Sequence, residues 1–366
     1  MDIKSYIIGK TVAIAMGIAA LSQMTNEEAT IRVLLMTSGY GGYYHDTVDY
    51  VELEDGTFQV NSITRANGHP VYEGELEVIE TDQGYLLINE LPVEDYLKYV
   101  VPSEMPSGYE MEALKAQAVC ARTYAYRQIQ EKALVQFCAD VDDSVNFQVY
   151  NNQAADERAS QAVQETSGEI MTYEDEPIIA YFFSTSSGAT STDEVWEEET
   201  APCLKSVVSD YDSDMPWYRW NVSFTKEQVN ACLQNHGYDI GDIKDIQVTR
   251  RSQGGAAVSC DFIGTEDTVT VENELNIRKL LSPYGISIER QDGSVVTDFN
   301  LLPSAYFESE PYYDENGEVQ GFTFEGGGYG HGVGMSQNGA NGMAKQGAGY
   351  LEILNYYFDG FTLEKK

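Results

Sequence analysis

An α+β fold, with mixed helices and a mainly antiparallel sheet, is what this 366-residue chain predicts. Three observations carry the reading. Short alternating strands are separated by turn signals rather than by crossover helices. A long alanine-rich helix, EMEALKAQAVCARTYAYRQIQE, runs from Glu110 to about Glu131. Between about Met215 and Pro303 the texture shifts to a second set of strands and helices that closes a smaller α+β subdomain of its own. With 42% hydrophobic residues, 11% aromatic residues and 26 Tyr, the chain can bury a core and is not disordered.

In order along the chain, Lys4 and Lys10 flank an apolar run from Ile7 to Leu21, followed by a polar stretch. Residues 1–30 therefore read as a signal peptide or a short membrane anchor plus spacer. Lys10 interrupts the run, which falls short of a full spanning helix. No second candidate span follows, so the rest lies on one side of the membrane, outside the cytoplasm. Ile31–Leu35 opens the fold as a strand, and Asp55-Gly56 marks a hairpin turn. Val71–Glu80 and Gly84–Ile88 are strands joined at Asp82-Gln83. Glu90–Val101 is a short amphipathic helix that delivers the chain to Val101-Pro102-Ser103-Glu104-Met105-Pro106. After the long helix come a helix at about Asp156–Thr166, a strand at Glu169–Tyr173 and an apolar run, Ile178–Phe183. The inserted unit, 215–303, holds strands at Trp220–Phe224, Ile243–Arg250, Ala257–Gly264 and Thr268–Glu272, with helices at Lys226–Asn235 and Glu274–Leu281. Residues 304–366 return to the core, residues 31–214, through a glycine-dense loop, Gly326–Gln337, and two short helices.

Net charge of −37 excludes a nucleic-acid binder, which needs a basic footprint, and an electrostatic hold on anionic lipid. Many tyrosines in an acidic chain suit stacking on neutral sugars, or serve as core and surface filler. The five cysteines, Cys120, Cys138, Cys203, Cys232 and Cys260, have neither disulfide-framework nor zinc spacing and read as buried free thiols. No cofactor is expected.

Glu104 sits between two prolines that stiffen its backbone. Lys115 and Arg122, seven residues apart, share one side of the helix that follows, among Ala, Val and Tyr. One fixed acid beside two cations reads either as a site or as a turn into a helix whose Glu favours the positive helix end. The Ser184–Ser191 cluster lacks G-x-S-x-G, leaving a strand-to-loop turn or a sugar-binding edge. The glycine loop lacks the phosphate-binding lysine, and Ser336 is a candidate N-cap. His331 has no second His nearby, which suits hydrogen bonding or acid–base work better than metal.

In this order, Val101–Pro106, Glu112–Val119 through Ala121-Arg122-Thr123-Tyr124, Phe183–Gly188 followed by Glu194-Val195-Trp196, Leu204–Val207, and Gly330–Ala340 resemble the stage II sporulation protein D / amidase-enhancer family. The resemblance runs from about residue 31 to the C-terminus and is weakest within 215–303. It implies a lytic transglycosylase that cleaves peptidoglycan glycan strands in a groove, strands stripped of stem peptides in sporulating relatives. Glu104 matches the catalytic acid. Lys115, Arg122, Ser184, Thr185, Ser187, Gly188, Lys205, His331, Gly332 and Gln337 match residues expected to shape or contact the glycan. Relatives often carry zinc-binding Cys and His before Gln-Val-Tyr. Here Cys138 stands in roughly that region, but Asn146 and Phe147 precede Gln148, so zinc does not carry across. A cell-wall amidase or another sporulation hydrolase is the implied partner. The rival readings are a glycan-binding enhancer of an amidase and a structural anchor for a wall complex.

Chemically, one acid suffices for such a reaction. Hydrolysis of glycosides normally takes two carboxylates. If the sugar's own C6 hydroxyl closes onto C1, one group can serve first as acid and then as base. That role needs a raised pKa, which burial supplies and which Lys115, Arg122 and a helix N-terminus would oppose.

Overall fold

The computed structural model describes residues 29–151, 153–197 and 200–366. The leader or anchor expected over 1–30 thus lies outside the described residues, except for its last two. Among the described residues there are seven α-helices and mainly antiparallel sheets, an α+β architecture. No helix among them is long and apolar enough to cross a membrane.

Thr30–Leu35 pairs antiparallel with Gly84–Pro92, from Thr30 opposite Pro92 to Leu35 opposite Leu87. Glu75–Thr81 flanks the second strand, and Val141–Asp142 adds in parallel to the first. The strand expected over Val71–Glu80 is broken at Gly74. Its φ is +82°, and a Cβ there would lie 2.3 Å from the Glu90 carbonyl oxygen, so only glycine lets the chain turn. Val71–Tyr72 pairs instead with Phe58–Val60, the second arm of the Asp55-Gly56 hairpin.

Helix α1, Val93–Glu104, starts three residues later than its sequence pattern suggests, because Glu90–Pro92 remains paired with Thr30–Arg32. Val93, Tyr96, Leu97, Val100 and Val101 form its buried stripe at helical spacing. It ends where Met105, extended before Pro106, leaves the helical region. Helix α2, Met111–Glu131, spans about 31 Å at 1.5 Å per residue. It packs against α1, α3 (Glu157–Glu165), the strand Glu169–Tyr173, and the C-terminal helices α6 (Gln337–Lys345) and α7 (Tyr350–Tyr357). Its small alanines are buried on most sides, which explains a helix with little polar face.

A second core lies between a five-stranded sheet, a three-stranded sheet and helices α4 (Lys226–Asn235) and α5 (Glu274–Leu280). It does not close at residue 303. Phe307–Tyr313 and Val319–Gly326 complete the sheet beside Trp220–Thr225, and Phe307, Phe322 and Phe324 fill the same core. The return to the first core therefore begins after Gly326. Phe182–Phe183 then pairs in parallel with Met335–Ser336, which sets the Ser/Thr cluster beside the glycine loop.

Candidate active site

Glu104 is the last residue of α1, not part of a turn into α2. The negative end of a helix disfavours a carboxylate there. Its Oε1 accepts from the Val149 N–H at 2.6 Å, and the Gln337 side chain also hydrogen-bonds it. Burial outweighs both bonds and raises its pKa to about 7 from 4.5; no lysine or arginine contributes. The expected opposition from Lys115 and Arg122 is absent. The residue also lines an open cleft of about 780 Å³, together with Asn67, Ser103, Pro106, Gln153 and Asp156 among others.

A raised carboxyl pKa leaves a mark on stability. Between about 4.5 and about 7 the folded state holds a proton that the unfolded state has lost. Stability therefore falls as pH rises through that window and is level above it. Glu104→Gln is expected to remove this fall, gaining on the order of 2–3 kcal/mol above neutrality and little in acid. Denaturant titrations of both proteins across the window check this.

The other matched residues divide. Arg122 is fully buried. Its Nε and Nη2 donate to Glu94 at 2.6 and 2.9 Å, and Nη2 also reaches the Val163 carbonyl at 3.1 Å. It is a strut between α1, α2 and α3. Lys115, on the same side of α2, is paired with Glu112 at 2.9 Å and Glu165 at 2.8 Å. Lys205 donates to the Asn355 carbonyl near the end of α7. None of the three lines the Glu104 cleft.

His331 is packed against Trp196, Phe183 and Tyr181, with ring centroids 5.1, 5.7 and 6.0 Å away. Its Nδ1 accepts from the Val333 N–H at 3.1 Å. Burial, with Arg278 nearby, pulls its pKa down to about 3, so the ring is neutral and serves as packing and hydrogen-bond scaffold rather than as an acid. Gly332 has φ +79°, and a Cβ would meet Tyr306 Oη at 2.3 Å.

The Ser/Thr turn is held one step from Glu104. Ser336 caps α6, its Oγ accepting from the Gly339 N–H at 3.1 Å. Gln337 follows and touches Glu104, and Asn338 donates through Nδ2 to the Ser184 carbonyl at 3.1 Å and to Thr185 Oγ1 at 3.0 Å. Thr185 and Tyr329 exchange backbone bonds of 3.1 and 2.8 Å. Ser187 instead lines a separate cleft of about 640 Å³ with Arg219, Arg251 and Arg290, while Gly188 pairs with Ser209.

Several contributors carried no sequence signal. Asp212 is a buried acid that accepts from the Ser186 N–H and Ser336 Oγ, each at 2.7 Å, tying the turn to the loop. Val149 acts through its backbone. Asp156 enters the sequence reading only as the start of a helix. Near the Gln-Val-Tyr segment, a buried Arg65–Asp143 ion pair holds the loop, and Cys138 is exposed. Among the described residues no three His, Cys, Asp or Glu side chains are grouped to hold a metal.

The site is a buried carboxyl, on a residue that lines a cleft, with paired loops beside it on an α+β frame. The chain belongs to the stage II sporulation protein D family. The stage II sporulation protein family matches residues 81–173, the stretch holding α1, Glu104, α2 and Val149. A domain of unknown function (DUF8618) matches residues 150–334. Stage II sporulation protein D of Bacillus subtilis is 33% identical over 292 residues, 76% of each chain. An uncharacterised protein of Brachyspira hyodysenteriae is 31% identical over 94% of this chain and 84% of its own. The amidase enhancer of Bacillus subtilis is 27% identical over 73% of this chain and 40% of that longer protein.

Proposed function

We propose that the protein is a cell-wall protein of sporulation that acts outside the cytoplasm as a peptidoglycan lytic transglycosylase, with Glu104 as acid and then base. The observation that carries the proposal is Glu104 itself: a buried carboxyl raised to about 7 and met by the Val149 N–H, on a residue that lines an open cleft. Protonated Glu104 donates to the oxygen bridging N-acetylmuramic acid and N-acetylglucosamine, and the bond from that oxygen to muramic C1 breaks. The C6 hydroxyl oxygen bonds to C1, and its proton passes to the Glu104 carboxylate. The products are a free N-acetylglucosamine end and a 1,6-anhydro-muramic end. No water is consumed, and the acid is restored for the next turnover.

Digestion of amidase-treated peptidoglycan by the purified protein tests the reading: 1,6-anhydro ends support it, and intact strands overturn it. Intact strands would leave the second reading, a glycan-binding modulator, which the amidase-enhancer relative favours. A cell-wall amidase is the partner in that case.

Asp156 sharpens the chemistry, because it is a second carboxyl on the cleft. Its Oδ1 is occupied as the N-cap of α3, accepting from the N–H groups of Arg158 at 2.9 Å and Ala159 at 3.2 Å. Asn caps as well as Asp. Asp156→Asn is therefore expected to keep product release within about twofold of wild type. Loss comparable to that of removing a general acid, roughly 100-fold or more, would instead make Asp156 a working partner and point to two-carboxylate hydrolysis.

A further inference from the structure

Just past the strand Thr30–Leu35, Tyr40 stands in a glycine-dense turn, Ser38-Gly39-Tyr40-Gly41-Gly42. Its φ is +57°, and among the described residues it is the only aromatic residue with a positive φ. That region is unfavourable for a bulky side chain and open to glycine, so a turn alone would select Gly here. A ring kept on such a backbone points to a use for the ring.

The ring is backed by a fixed cation. The Arg65 guanidinium carbon lies 4.5 Å from its centroid. That guanidinium is held by the buried ion pair with Asp143 and by the Met36 and Thr37 carbonyls, at 2.7 and 3.1 Å. The Thr64 N–H donates to Ser38 Oγ at 2.9 Å and clips the two turns together. Tyr40 nevertheless stays 36% exposed. A Cβ added at Gly39 or Gly42 would meet nothing within 4 Å, so the space beside the turn is open.

The turn that carries Arg65 also reaches the Glu104 cleft. Arg65 and Gly68 exchange backbone bonds of 2.8 and 3.0 Å, and Asn67, between them, lines the cleft. Asn67 Nδ2 donates to Gln153 Oε1 at 3.3 Å, and the Gln153 N–H donates to Ser103 Oγ at 3.0 Å, next to Glu104. Tyr40 thus belongs to the wall of that cleft.

We propose that Tyr40 is a sugar-stacking subsite beside the Glu104 cleft, which takes a neutral N-acetylglucosamine ring of the glycan strand. The electron-rich face of an aromatic ring attracts the weakly positive C–H groups on one side of a pyranose, and a ring already fixed loses little freedom on binding. Charge selects the sugar. Peptide-stripped muramic acid carries a free carboxylate, whereas Glu104 and Asp156 line the cleft with no lysine or arginine among the described residues there, in a chain of net charge −37. The subsite rests on the peptidoglycan reading above, but its test needs no turnover.

Calorimetric titration of the full-chain Glu104→Gln protein with the β-1,4-linked N-acetylglucosamine tetramer reads it. Tyr40→Leu still covers Arg65 but has no flat face, and Tyr40→Gly suits the backbone should the first fail to fold. Each is expected to weaken binding roughly 3- to 10-fold, and Tyr40→Phe, which keeps the ring, by less than about twofold. Affinity unchanged in Tyr40→Leu and Tyr40→Gly would reduce Tyr40 to a shield over the Arg65–Asp143 pair and overturn the subsite. Equal weakening by Tyr40→Phe, or no binding of the tetramer at all, overturns it as well. Anhydro-end release by the protein with Glu104 intact is scored apart: a chain that binds through Tyr40 and releases none fails the transglycosylase reading and keeps the subsite.

Discussion

Glu104→Gln is expected to lower the release of 1,6-anhydro ends by roughly 100- to 10,000-fold, the usual worth of a general acid. The amide keeps the shape of the carboxyl but has no proton to deliver to the leaving oxygen. It can still accept from the Val149 N–H, so the fold around it is retained. Loss of activity with a stability at least equal to wild type separates this outcome from unfolding. The pH dependence follows from the same group. The starting form is the acid, so kcat/KM falls as pH rises through about 7, and this limb vanishes with Glu104. His331 contributes no limb near neutrality, because its pKa lies at about 3.

The second large effect falls on folding. Arg122→Met is expected to destabilise the protein by about 2–3 kcal/mol, because it removes the two charge-assisted bonds that the buried guanidinium gives the partly exposed Glu94. It also removes the guanidinium bonds to the Val163 and Glu169 carbonyls, leaving the former only the 3.4 Å contact from Thr166 Oγ1. Lysine cannot supply two parallel N–H bonds to one carboxylate, so Arg122→Lys recovers only part of the loss. Denaturant unfolding reads the effect directly. A glycan-contacting Arg122 would give the opposite pattern: normal stability and a raised KM.

Arg122 also shows where sequence reasoning stops. Two cations among alanines on one helix face were visible, and that face is real, since Lys115 and Arg122 both meet the region of α3. What the pattern could not show was Glu94, 28 residues earlier on α1, which turns a cation that seemed aimed at a ligand into an internal brace. Glu104 was legible as a fixed acid through its two prolines. Its place at the end of α1, and hence its raised pKa without nearby cations, depends on where strand pairing with Thr30–Arg32 lets the helix begin. The helix ranges at Asp156–Thr166 and Lys226–Asn235 match closely, each held at its start by a side-chain cap, Asp156 and Thr225. The sheet beside Trp220–Thr225 extends past residue 303 to Phe307–Tyr313 and Val319–Gly326, because pairing across the sheet leaves no local mark in the sequence there. Gln337 came through the Gly-His-Gly loop motif.

The central claim is that Glu104 drives an intramolecular closure in which water takes no part. Digestion of peptide-stripped peptidoglycan in oxygen-18 water, followed by mass spectrometry of the muramic ends, tests it most directly. The account predicts 1,6-anhydro ends with no heavy oxygen at C1, formed by wild type and not by Glu104→Gln. Reducing ends carrying oxygen-18 at C1 would contradict it.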